Sequence, residues 1–144
     1  MSDLRGAGIA PDPERSLAIT RAVALALSIG PLVLLGAVLL VPAPTRSGVL
    51  VAPAALAGIV ALAIGYRLYC GVLGRQAPGA GVGPRLANLR TATIAGLSVT
   101  EATALFGVIA FHLSREPFAL AGLAAHLILA GAVWPTGARL DGIL

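Results

Sequence analysis

Long apolar runs separated by short polar connectors set the pattern of this chain. A helix that crosses a hydrocarbon core needs about 20 mostly apolar residues. Residues 22–41 form such a run, with Arg21 placed to snorkel at its leading end. Residues 48–66 form a second, extended a turn or two past Arg67 toward Gly74, and 91–113 form a third. The fourth, 118–134, is shorter and closes on Trp134 and Pro135, an interfacial aromatic followed by a helix stop. In lipid the backbone must satisfy its own hydrogen bonds. The pattern therefore predicts an all-α integral membrane fold with four transmembrane helices, over about 17–41, 48–74, 86–113 and 117–135.

The connectors read as turns. "VPAPTRSG" (41–48) and "SREP" (114–117) are tight, whereas "GRQAPGAGVGPR" (74–85) is a longer Gly/Pro loop. Four spans place both termini and this central loop on one side. Arg5, Arg15, Arg21, Arg67, Arg75, Arg85, Arg90 and Arg139 lie there, against Arg46 and Arg115 on the other. The positive-inside rule makes that side cytoplasmic. Residues 1–16 are polar, with Pro11 and Pro13, and are expected to be a mobile cytoplasmic tail; 137–144 form a second, short one. The first apolar run is long for a signal-peptide core and "VPAP" is a poor cleavage site, so a retained anchor is expected. Gly30 and Pro31 are expected to bend this helix near its middle.

Composition agrees and removes several function classes. Only 11% of residues are charged and mean hydropathy is +0.94, whereas soluble domains carry about 25% charge. The net charge of +4 comes from singly scattered arginines rather than a basic face interleaved with aromatics, which argues against nucleic acid. A lone Cys70 excludes an internal disulfide. Two histidines with no carboxylate at ligand spacing give no metal site. "GAGVG" (79–83) follows no strand and lacks a lysine, so it is no nucleotide loop. Neither a cofactor nor a catalytic centre is expected.

One residue breaks the apolar pattern. Glu101 is the single charged residue of the 23 between Thr91 and Leu113. It stands roughly 15–18 Å from either end of that run at 1.5 Å per residue, near the midplane. An acidic residue there costs roughly 2.5–3.5 kcal/mol on insertion scales. Hydrocarbon penalises the ionised form, so the expected resting state is the protonated carboxyl. Two readings follow: a site that takes up and releases a cation, or a protonated carboxyl hydrogen-bonded to a neighbouring helix. His112 lies on the same stripe about three turns on, and His126 falls mid-way along the fourth span within about one turn of Glu101 in depth. Carboxylate–imidazole chemistry would make His126 a tuning group and His112 a relay. The plainer alternatives are an interfacial His112 and a neutral His126 bonded to backbone. Ser98, Thr93, Thr100 and Thr103 read as helix–helix glue, with Thr100 also a candidate helper of Glu101. Tyr66, Tyr69 and Trp134 read as interfacial anchors.

The stretch T-A-T-I-A-G-L-S-V-T-E-A-T-A-L-F-G-V-I-A resembles the ion-carrying helix of subunit c, the proteolipid of rotary F-type ATP synthases, whose pattern is roughly T-T-x-x-x-G-x-A-L-T-E-A-x-A-x-[YF]-G-L-V-I-A. Gly96, Thr100, Glu101, Ala102, Ala104, Phe106, Gly107, Ile109 and Ala110 fall on matching or similar positions. The "RQAP" run (Arg75, Gln76, Ala77, Pro78) resembles that family's cytoplasmic loop. The resemblance covers about residues 54–113, the middle two helices. It implies a subunit-c-like central hairpin, a homo-oligomeric ring in a bacterial inner membrane, and proton binding at Glu101. It also implies docking of cytoplasmic subunits by Arg75, Gln76 and Pro78. The chain itself would be at most a non-catalytic subunit of a proton-translocating ATPase. Its partners would be other copies of itself, the lipid bilayer and further subunits of a larger complex. Sodium-binding members carry a Gln on the first helix and a Ser after the glutamate; this chain has neither, which favours a proton. The family's run of alternating glycines is reduced to Gly58 and Gly65, although Ala57, Ala61 and Gly65, with Gly96 opposite, still offer a small-residue stripe for helix packing. The first and fourth helices are additions to a two-helix protomer. They keep two alternatives open: a structural, non-rotary oligomeric subunit and a small proton-coupled transporter or channel.

Overall fold

The computed structural model describes residues 12–42, 47–77 and 79–136. The expected tails at 1–11 and 137–144, together with Arg5, Arg46, Arg139 and Pro78, lie outside the described residues.

All regular structure among the described residues is helical. Helix α1 spans Pro13–Leu40. Asp12 caps it by accepting a 3.0 Å hydrogen bond from the Glu14 amide, and Pro13 supplies a pre-set first turn. The helix thus begins one turn before the expected boundary at residue 17, and residues 13–16 are helix rather than tail. It runs without a break through Pro31. Helix α2 spans Val51–Leu73 and α3 spans Val82–Ser114.

Helix α3 has 33 residues, about 50 Å at 1.5 Å each. That exceeds a hydrocarbon core of about 30 Å, so its polar first turns, with Arg85, Asn88 and Arg90, extend beyond the apolar span. It starts a turn earlier than the pattern predicts because Pro84 falls in its first turn, where a missing N–H costs nothing. It stops at Arg115, whose φ of 60° is left-handed. The Ser114 hydroxyl then accepts the Glu116 amide at 3.1 Å and closes the turn.

The fourth segment is a four-residue 3-10 turn, Pro117–Leu120, running into the 12-residue helix α4, Ala121–Ala132. Helices α1, α2 and α3 are long and apolar enough to cross a membrane, which marks a multi-pass membrane chain; the fourth segment is shorter. The expected span to residue 135 loses Val133, Trp134 and Pro135, which lie past the helix end.

Helix α3 is the central element, packing against α1, α2 and α4, while α2 also packs along α4. Hydrogen bonds fix the antiparallel arrangement at both ends. At one, the Arg21 Nε donates to the Pro135 carbonyl at 3.0 Å and the Asn88 amide to the Val72 carbonyl at 2.8 Å. At the other, the Arg115 guanidinium donates to the Val41 carbonyl at 2.9 Å, and the Ser47 amide to the Leu113 carbonyl at 3.0 Å.

Lipid tails are as apolar as leucine, so helices associate in a bilayer through close packing rather than hydrophobic drive. Glycines permit the closest approaches. A Cβ at Gly65 would stand 2.7 Å from the Gly96 carbonyl oxygen, and one at Gly58 would stand 2.6 Å from the Gly122 backbone. The small-residue stripe is therefore used within the chain. Ala61 and Gly65 are buried, Ala57 only half-buried, and Gly58 makes the contact with α4. Tyr69 also departs from expectation: it is buried, with its Cβ against Gly96, rather than anchored at the interface. Large side chains such as Val33, Leu56 and Ile59 instead cover the outer faces, as lipid contact requires.

This packing separates two kinds of glycine. A Cβ at Gly36 meets nothing within 4 Å, so Gly36→Ala is expected to hold or raise the melting temperature in detergent, by up to about 1 kcal/mol of helix propensity. The same change at Gly65 should lower it, at a cost of roughly 1–3 kcal/mol for overpacking against backbone.

Candidate functional site

Glu101 lies on α3 about 20 Å from the helix end at Ser114, taking 1.5 Å per residue. It is half-buried, and its side chain turns toward α1. Its Oε1 comes within 3.4 Å of the place a Cβ on Gly30 would occupy. The missing side chain of Gly30 thus makes room for the carboxyl. No hydrogen bond or ion pair joins this carboxyl to another group among the described residues.

Thr100, one residue earlier, is buried and faces another way. Its hydroxyl lies 3.1 Å from the Leu97 carbonyl, to which it donates, and 2.8 Å from Nδ1 of His126 on α4. His126 is 0% exposed. Its second ring nitrogen, Nε2, is buried with no hydrogen-bond partner among the described residues. The Leu27 carbonyl of α1 faces the imidazole. That carbonyl is unusual for a reason legible in the covalent structure: it lies four residues before Pro31, which has no N–H to return a helical bond.

His112 is half-buried on α3, with Nδ1 3.3 Å from the Val38 carbonyl of α1. Along α3 it stands about 16 Å beyond Glu101. His126, Glu101 and His112 thus each meet α1, at Leu27, Gly30 and Val38 respectively.

The structure joins some of the expected site residues and separates others. Thr100 and His126 form one buried pair; the Thr100 hydroxyl serves that pair rather than Glu101. His112 ties α3 to α1. Gly96 fits against Gly65, a packing contact. In the central loop Arg75 is exposed, and Gln76 is half-buried, its Nε2 without a partner among the described residues. These two lie against Pro84 and Asn88 of α3 in one shallow hollow. Sequence reasoning missed the contribution of α1, which reads as an addition to the hairpin. Pro31 held a usable signal, because the orphaned carbonyl is always four residues before a mid-helix proline; which side chain that carbonyl would face was not readable.

Thr100→Val removes the polar partner of His126 Nδ1 and leaves that nitrogen buried and unbonded. The expected cost is about 1–3 kcal/mol, read as a lowered melting temperature against a Thr91→Val control, whose hydroxyl bonds its own helix at the exposed end. No protein-family profile matches the chain, and no curated protein or solved structure is detectably similar to it.

Proposed function

We propose that the protein is a proton-binding membrane subunit of the subunit-c type, homo-oligomeric, in which Glu101 binds and releases the translocated proton. The observation that carries this reading is the uncommitted carboxyl: Glu101 lies deep in an apolar span, yet no hydrogen bond or ion pair holds it among the described residues. A carboxyl kept as an interhelical tie would be bonded to its neighbour helix, whereas Oε1 only faces the space that a Cβ on Gly30 would enter. An intramembrane carboxyl with no structural partner is functional by default.

A proton fits this setting better than a metal cation. A sodium site needs several oxygens around the ion, whereas Ala102 follows Glu101 and the Thr100 hydroxyl is engaged by His126. The close α2–α3 pair, with Gly65 against Gly96, is consistent with a tightly packed central hairpin. In this reading the Arg75–Gln76 end of the loop docks a cytoplasmic subunit, the membrane is a bacterial inner membrane, and catalysis belongs to partners.

One observation favours a second reading, a self-contained proton-coupled transporter. Glu101 turns toward α1 of its own chain, whereas a rotor carboxyl must meet a stator. Native mass spectrometry on protein extracted gently from its own membrane separates the two. A large ring with co-purifying ATPase stator and head subunits supports the rotor. A small closed homo-oligomer without them supports the transporter.

A further inference from the structure

We propose that His126 is a second proton-binding site, built by Pro31, and that it exchanges protons with Glu101. The inference rests on the reading of Glu101 as an exchangeable site and adds the group that receives its proton.

The hydrogen bonds around Thr100 point to one tautomer of the neutral ring. The Thr100 hydroxyl has one proton, and it donates to the Leu97 carbonyl. Its oxygen is then the acceptor for His126, so Nδ1 carries the imidazole N–H. Nε2 is left with a bare lone pair, fully buried and without a partner among the described residues. The backbone group facing the ring from α1 is the Leu27 carbonyl, deprived of its helical donor by Pro31. A ring lone pair buried in an apolar interior without a donor is costly.

A proton on Nε2 supplies that donor. The imidazolium then gives Nδ1–H to Thr100 and Nε2–H to Leu27, and both ring nitrogens are satisfied. The charge so created needs a counter-charge, because an unpaired buried cation is costly. Glu101 is placed to provide it: Gly30, which its carboxyl faces, is one turn along α1 from Leu27, and its neighbour Thr100 holds the same imidazole. The step balances without another reagent beyond a bridging water molecule. The O–H of neutral Glu101 breaks, an N–H forms on Nε2, and a neutral pair becomes a carboxylate–imidazolium pair.

Few other groups compete at this depth. Helix α1 bears no titratable side chain after Arg21. Helix α2 bears neither a carboxyl nor an imidazole, its titratable side chains being Tyr66, Arg67, Tyr69 and Cys70 in its second half. On α3 the next titratable groups are Arg90 and His112, each about 16 Å from Glu101 along the axis, and α4 itself holds only His126.

The test is nitrogen NMR of the full chain, labelled at histidine ring nitrogens, in lipid nanodiscs over a pH series. A His112→Asn variant assigns the His126 signals. The expected result is an Nδ1–H neutral ring that becomes doubly protonated as pH falls. In Pro31→Ala the amide N–H restored at that position reclaims the Leu27 carbonyl. The doubly protonated population at a given pH should then drop by about tenfold, the usual size of one hydrogen bond to a charged group. Glu101→Gln should reduce it as well. A ring that stays neutral with Nε2–H throughout the series, or a titration unmoved by either variant, would overturn the proposal. Carbodiimide labelling reports on Glu101 alone, so a titrating His126 beside an unreactive Glu101 would remove the relay and Glu101's role, and would be distinguishable from failure at His126.

Discussion

Glu101→Gln is expected to abolish proton uptake by proteoliposomes holding the assembly extracted with its partner subunits, bringing the rate down to the leak of protein-free vesicles. Glutamine keeps the shape of the side chain and removes the exchangeable acid. The same variant should fold as well as the parent. The carboxyl makes no hydrogen bond or ion pair among the described residues, so no tie between helices is lost. Glutamine is close in size and polarity to the protonated carboxyl, so the packing around it is kept. Flux is lost with stability kept only if Glu101 serves transport. A carboxyl kept for structure predicts the reverse, with the melting temperature falling and proton flux, if any, unchanged. The assay therefore pairs a pH-sensitive dye in the vesicle lumen with thermal unfolding of the same preparation.

The second large effect is expected at Gly122, where α4 crosses both α2 and α3. A Cβ there would collide with the Thr103 carbonyl group, and on the opposite side Gly122 already forms the wall against which Gly58 packs. Both obstacles are backbone, which cannot rotate out of the way as a side chain tip can. Gly122→Val should therefore separate α4 from the α2–α3 pair, at a cost at the upper end of the roughly 1–3 kcal/mol usual for overpacking, or beyond it. His126 sits one helical turn further along α4 and would be drawn off Thr100 with it. The expected observation is a lower melting temperature accompanied by loss of the Thr100–His126 bond, seen as a changed His126 ring signal. Gly131→Val on the same helix is the control, since a Cβ at Gly131 meets nothing within 4 Å. A Gly122→Val protein as stable as the Gly131 control would mean that the α4 crossing is not close-packed.

Much of this architecture was readable from residue order, for identifiable reasons. Hydrocarbon admits only helices of a narrow length range, so apolar run length placed α1, α2 and α3 to within a few residues. Errors gathered where polar residues continue a helix into water: Asp12 and Pro13 start α1 early, and Pro84 sits harmlessly inside α3. The shortness of α4 followed from its apolar stretch, but its 3-10 entry at Pro117 had no marker beyond the proline itself. Glu101 stood out because a charge at that depth is expensive. Its orientation did not, since helical periodicity fixes angles around one axis and says nothing of which neighbour fills each angle. The same gap explains why α1 was undervalued. Its apolar residues look alike from the sequence, and only the packing shows that Leu27, Gly30 and Val38 meet the interior carboxyl and both imidazoles.

Whether Glu101 carries an exchangeable proton within the membrane decides the functional reading, and reaction with a hydrophobic carbodiimide answers it at the residue itself. The reagent adds to a protonated carboxyl in an apolar setting and spares carboxylates in water, such as the exposed Glu14 and Glu116. Membranes containing the full chain would be treated over a range of pH and the modified peptide identified by mass spectrometry. The expected result is one reagent added at Glu101, fading as pH rises and the carboxyl ionises. A folded chain whose Glu101 remains unmodified at every pH would contradict it.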